Sequence, residues 1–322
     1  MAQMTSSLVS VGYVSWNVAS SVGLILINKW LLDFIRLECI LFLTGMHLIA
    51  SWIAVYALIK LGYESYKPMP GLQIARVVAS FFFTVAFFNL SLKLNSVGTY
   101  QLSKLLVTPV TAAMQYVFFR KSVGLDTQAA LGVICVCVAF VTTADVTVTM
   151  TGVGCSCVAI LASATHSLWS KSKPTELGLT TYQLNFHMFP WTAMCFIAAS
   201  MLVERDPVGQ MLGLLQADLD PEVAGSSRVA FMVLTCLMAA SLNISSSQLI
   251  FYTSPLTYHV VGHFKLILIL IFGVLFLNSP VSGTLATGML GAVGGVVWYT
   301  SIKYREQQAA AKVVQSDKRQ GA

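Results

Sequence analysis

The chain has 322 residues, of which 56% are apolar and 10% charged, and its mean hydropathy is +0.75. A soluble domain carries roughly 25% charged residues, and a fold of this length could not cover its surface with so few, which excludes a soluble globular protein. The net charge of +6 needs no nucleic-acid partner, because the basic residues fall between apolar runs and report membrane orientation.

A helix needs about 20 apolar residues to cross the hydrocarbon core. Runs near that length occur at Leu8–Asn28, Leu37–Leu61, Leu72–Leu92, Thr99–Phe119 and Gln128–Thr143. A second set follows at Gly152–Ser170, Asn185–Val203, Val229–Ile250, Tyr258–Leu277 and Val281–Ile302. The pattern predicts an all-α polytopic membrane protein with ten transmembrane helices, five in each half. Residues 1–150 form the first group, 151–304 the second, and 305–322 a disordered cytoplasmic tail. The first run has no basic leader and no small-residue cleavage site, so it reads as a retained helix.

With both termini cytoplasmic, the cytoplasmic segments hold twelve basic and five acidic residues, and the opposite side five basic and eight acidic. That bias sets the orientation. The seven cysteines all lie in apolar runs without CxxC spacing, so they read as packing residues and not as metal ligands or disulfides. His259 and His263 are four apart but have no carboxylate or cysteine beside them, so helix–helix hydrogen bonding explains them better than a metal. No metal or cofactor is expected.

Two basic residues remain inside the spans, Lys104 and Lys265, and no Asp or Glu remains there to neutralise them. A charge at mid-membrane costs at least ~2.5–3.5 kcal/mol, and such residues face a cavity or a partner. Lys104 lies five residues into the fourth run and Lys265 seven into the ninth, both near helix N-termini that favour an anion. Two ammonium groups facing one cavity would repel each other until a phosphate or diphosphate bridged them. Gln101, Lys104, Thr108, Thr111 and Gln115 follow 3, 4, 3, 4 spacing, one polar stripe that must look at protein or water. Tyr100 lies one turn before Lys104, and Tyr258 and Gly262 share the helical neighbourhood of Lys265. Asn17, His166 and Asn243 are weaker candidates, for cavity lining or for interhelical hydrogen bonds. Gly291 and Gly295 are spaced for tight packing or for a homodimer.

The halves also carry a weak repeat. Ser96–Tyr100 reads SVGTY and Ser254–Tyr258 reads SPLTY, each followed by a helical lysine. An odd number of spans separates them, so the copies run in opposite directions, as inverted repeats do around a midplane site.

These segments, NSVGTYQLSKLLVTP (Asn95–Pro109) and TSPLTYHVVGHFKLILILIFG (Thr253–Gly273), resemble two signatures of the nucleotide-sugar and triose-phosphate translocator family. That family belongs to the drug/metabolite transporter superfamily. Asn28–Lys29, Asn243–Ser245 and Thr143–Val146 followed by Gly152 add to a likeness that covers essentially the whole chain. It is greatest toward the solute carrier 35 branch and plant carriers of UDP-rhamnose and UDP-galactose. The resemblance implies two inverted five-helix repeats around a central cavity, and exchange of a phosphorylated substrate for a related anion without covalent chemistry. Lys265 matches the phosphate-binding lysine of the ninth helix and Lys104 the basic position of the fourth; Tyr100 and Tyr258 would meet the base or sugar. Leu266 stands where plastid phosphate translocators have arginine and many nucleotide-sugar carriers have threonine.

The expected function is antiport of a nucleotide sugar, a UDP-sugar, for nucleoside monophosphate across a Golgi or ER membrane. The alternative is a phosphate antiporter for triose phosphate or phosphoenolpyruvate. The partners are those small molecules and membrane lipid. An intramembrane enzyme would need a base, nucleophile or metal that the spans do not offer. A receptor would need larger cytoplasmic loops.

Overall fold

The structure, a computed structural model, describes residues 11–25, 27, 38–95, 100, 103–120, 124–144, 149–219, 228–259, 261, 262, 265 and 283–320. In chain order its helices begin with α1 (Val11–Ile25), α2 (Ile40–Lys60) and α3 (Gly71–Leu94). Next come α4 (Val107–Phe119, preceded by a 3-10 turn at Lys104–Leu106), α5 (Leu125–Ala144), α6 (Met150–Leu177), α7 (Thr181–Val203) and α8 (Pro207–Leu219). The series ends with α9 (Arg228–Tyr252), α10 (helical residues 255–259, 261, 262 and 265) and α11 (Gly283–Gln320). Among the described residues, all regular structure is helical. Five helices there are long and apolar enough to cross a bilayer: α2, α3, α6, α7 and α9. Shorter apolar helices cover α1, 104–119, 125–140 and 286–302.

Two elements depart from the sequence expectation. Helix α8 has 13 residues, too few to span, and falls in what reads as a loop. Its apolar residues Met211 and Leu214 pack on Cys39 and Leu43 of the α2 entry and on Met232 of α9. The last helix continues to Gln320, through residues expected to be a disordered tail. Between Val296 and Gln320 there is no Gly or Pro, and Ala, Gln, Lys, Arg and Glu predominate in 305–312, so nothing in the sequence breaks the helix.

Local signals set the helix ends. Thr180 caps α7 in a capping box: its Oγ1 accepts from Gln183 N at 3.2 Å, and Gln183 Oε1 accepts from Thr180 N at 3.1 Å. Helix α2 begins at Cys39 with no side-chain cap of its own. Its free amides donate instead to Glu204, at the end of α7: Leu41 N to Oε1 at 2.6 Å and Phe42 N to Oε2 at 3.1 Å. Helix α6 ends at Gly178, whose φ of 59° suits glycine. Lys67 Nζ donates to the carbonyls of Leu177 and Gly178 there, both at 2.9 Å.

The chain forms two compact units, residues 1–86 with 165–258, and 87–164 with 259–322. The first has a core of Leu48 and Val55 from α2, Val77 and Val78 from α3, Leu184, Phe189 and Phe196 from α7, and Ile244 from α9. Gly45 lets α2 approach α7, because a Cβ there would lie 2.7 Å from Ile197 Cγ1. In the second unit Phe88, Tyr100, Val107, Ala159, Ile160 and Ala164 form one cluster. Helix α11 packs on α5 in the same unit: a Cβ at Gly291 would lie 2.6 Å from Cys137 Sγ, and one at Gly295 2.8 Å from Ile134 Cγ1. The small-residue pair read as tight packing or as a dimer contact is thus filled from within the chain.

Candidate functional site

The second unit holds Lys104, Lys265, Tyr100, Thr108 and Gly262 of the expected site. Lys265 is buried, 8% exposed, and lies within electrostatic reach of Lys104, so the two ammonium groups repel. Lys104 is half-buried and sits where the helix tightens into a 3-10 turn, a local departure that often accompanies a functional position. Its Nζ stands over the ring of Tyr100, 4.0 Å from the centroid, and 5.4 Å from that of Phe88. Thr108 and Thr111 are fully buried and Gln115 is half-buried, so the described part of the polar stripe looks into protein. Among the described residues, Thr111 Oγ1 has no hydrogen-bond partner. A Cβ on Gly262 would meet no heavy atom of the described residues within 4 Å. Gln101 and His263 lie outside the described residues.

Tyr100 and Ser103, ahead of Lys104, are themselves helical, so Lys104 lies within its helix and not at the N-terminus expected from the sequence.

The first unit holds Asn17, His166, Asn243 and Tyr258. Each is tied to a neighbouring side chain. Asn17 Nδ2 donates to Ser245 Oγ at 3.0 Å and Ser246 Oγ at 2.9 Å, joining α1 to α9. Asn243 Nδ2 donates to Ser51 Oγ of α2 at 2.9 Å. His166 lies 3.3 Å from the hydroxyls of both Ser80 and Ser170, with the Phe81 ring against it. Tyr258 is hydrogen-bonded to Ser246. Helix α9 is therefore a polar hub, and Ser247 adds a bond to Asn185 Oδ1 of α7 at 3.0 Å.

Sequence reasoning missed Phe88 and Lys171. Phe88 sits among several phenylalanines between 81 and 88, with no period that singles it out. Lys171 reads as a loop residue, yet α6 runs past it, and its Nζ donates to the carbonyls of Phe251 and Thr253 where α9 ends. The only sequence signal was that Pro174 comes late enough for the helix to continue.

Long apolar helices, with buried cations and few other charges, define an α-helical integral membrane protein. The Triose-phosphate Transporter family matches residues 8–300. The chain belongs to that family, and its relatives are transporters. UDP-xylose transporter 2 of Arabidopsis thaliana is 28% identical over 302 residues, covering 94% of this chain and 84% of that protein. UDP-rhamnose/UDP-galactose transporter 2 of the same plant is 27% identical over 311 residues, covering 96% of this chain and 87% of that one. One solved crystal structure superposes with a TM-score of 0.63 at 13% identity, over 94% of this chain and 98% of the other, which speaks to the fold alone.

Proposed function

We propose that the protein is a nucleotide-sugar antiporter that carries a UDP-sugar across a Golgi or ER membrane in exchange for nucleoside monophosphate. Ten helices in two inverted five-helix repeats, residues 1–150 and 151–304, would alternate access, with both termini cytoplasmic. The observation that carries the reading is the pair Lys104 and Lys265, two mutually repelling cations in one compact unit of a membrane protein. A diphosphate joins them with charge-assisted hydrogen bonds, and it can drive the transition because the two states bind it differently. The relatives named for UDP-xylose, UDP-rhamnose and UDP-galactose transport supply the substrate class. The family description names triose phosphate, which favours a second reading, a phosphate antiporter for triose phosphate or phosphoenolpyruvate. Leu266, in place of the arginine expected next to the ninth-helix lysine in that group, argues against it.

The deciding experiment is exchange in proteoliposomes preloaded with uridine monophosphate or with inorganic phosphate, against external UDP-xylose, UDP-galactose, UDP-rhamnose or triose phosphate. UDP-sugar uptake dependent on internal uridine monophosphate supports the antiporter. Uptake of triose phosphate driven by internal phosphate alone overturns it.

A further inference from the structure

A buried cation is stable only if something compensates its lost hydration. No carboxylate within the spans is available to Lys104. A corner made of two aromatic rings meets its ammonium instead. Tyr100 and Phe88 have ring centroids 6.1 Å apart and planes at 84°, and Lys104 Nζ lies 4.0 Å from the first centroid and 5.4 Å from the second. Both rings are buried, 7% and 8% exposed. They are backed by Ala159, Ile160 and Ala164 of α6, which hold the corner in place. Tyr100, Phe88, Lys104 and Lys265 all belong to one compact unit.

We infer that Tyr100 and Phe88 form an aromatic cage that positions the Lys104 ammonium for the substrate's phosphate. This rests on the anion-exchange reading above. It assigns Tyr100 to the lysine and removes it from the recognition of base or sugar. A ring face attracts a cation through its quadrupole and carries no net charge. A carboxylate in its place would neutralise Lys104 and compete with the incoming phosphate. The cage thus offsets part of the burial cost while leaving the positive charge available. It also holds Lys104 against repulsion from Lys265. A long side chain already held in one place loses less freedom when the anion arrives. The geometry needs both helices: Tyr100 precedes Lys104 by one turn, whereas Phe88 comes from α3.

The test measures binding of uridine monophosphate and of inorganic phosphate to the full-length protein in nanodiscs, by calorimetry. Tyr100→Phe should bind both within about twofold of the native protein, since the ring face remains. Tyr100→Leu and Phe88→Leu should weaken both by about three- to thirtyfold. Phenylalanines carrying one, two and three ring fluorines at position 88 should lower affinity stepwise. Fluorination drains the ring face with little change of volume, so packing alone would not produce that trend. This series also decides the matter if the leucine variants fail to fold. A flat response to fluorination, or loss of binding in Tyr100→Phe, overturns the cage. If the native protein binds neither ligand, the anion-exchange reading itself fails. If it binds and the ring variants match it, only the cage fails.

Discussion

Asn17 on α1 is fully buried and places its side-chain amide between Ser245 and Ser246 of α9, at 3.0 and 2.9 Å. Asn17 lies more than two hundred positions from both serines in the chain, and the bonds tie the first described helix to the polar hub of its unit. In a membrane, such bonds contribute up to about 1–2 kcal/mol each. Asn17→Leu should therefore lower the midpoint of thermal unfolding in detergent, equivalent to about 1–2 kcal/mol. Asn17→Ser, which keeps a donor, should recover part of the loss. An unchanged midpoint in Asn17→Leu would show that the bond does not support the unit.

Lys104→Gln and Lys265→Gln should each reduce anion exchange by about thirtyfold or more, the usual cost of losing one member of a buried charged contact. Unfolding midpoints should stay near native or rise, because each change removes the repulsion between the two lysines. Exchange at native rates in either variant would remove that lysine from the site. The check is counterflow in proteoliposomes alongside a thermal melt.

Glu204 caps α2 from the end of α7, its carboxylate also accepting a hydrogen bond from Ser200 Oγ at 2.5 Å. A charged cap on a helix N-terminus satisfies orphan amides and favours the dipole. Glu204→Ala should cost about 1–2 kcal/mol and speed hydrogen exchange at Leu41 and Phe42. Glu204→Gln should lie between the two. Mass-spectrometric exchange over residues 38–46 reads it directly.

Gly295 touches α5 closely, with a virtual Cβ 2.8 Å from Ile134 Cγ1 and 3.3 Å from the carbonyl of Ala130. A side chain there must displace backbone as well as an isoleucine. Gly295→Leu should destabilise the fold by about 1–3 kcal/mol, as overpacking does. The oligomeric state, measured by light scattering, should not change, because the glycine faces its own chain. Dissociation of a dimer without loss of thermal stability would contradict that placement.

Gly45→Ala probes the equivalent approach of α2 to α7. Its added methyl meets Cγ1 of Ile197 at 2.7 Å and the Ala193 carbonyl at 3.4 Å. The variant should melt lower, and combining it with Ile197→Ala, which removes the clashing Cγ1, should cost less than the two single changes added together, a coupling expected of residues in contact.

Much of the fold was legible in the sequence because hydropathy is a property of each residue. The runs at 37–61, 72–92 and 229–250 differ from α2, α3 and α9 by a few residues at each end. Helix α8 was not legible that way: at 13 residues it is too short for a span, and its amphipathic spacing gains meaning only against Cys39, Leu43 and Met232. At the site, the two lysines without carboxylates could be found by accounting for every charge. Tyr100 could be placed near Lys104 by helical spacing, but its task could not, because the second wall of the corner comes from α3.

Composition and the placement of charge were enough to put this chain in a membrane and to single out Lys104 and Lys265, because the cost of a charge in hydrocarbon does not depend on which helices are neighbours. Which neighbour answers each polar side chain was settled by tertiary packing: the rings at Lys104, Ser245 and Ser246 at Asn17, and α5 at Gly291 and Gly295. Helical periodicity tells which side of a helix is polar or small, but the surface that meets it is chosen by the simultaneous packing of segments distant in the chain.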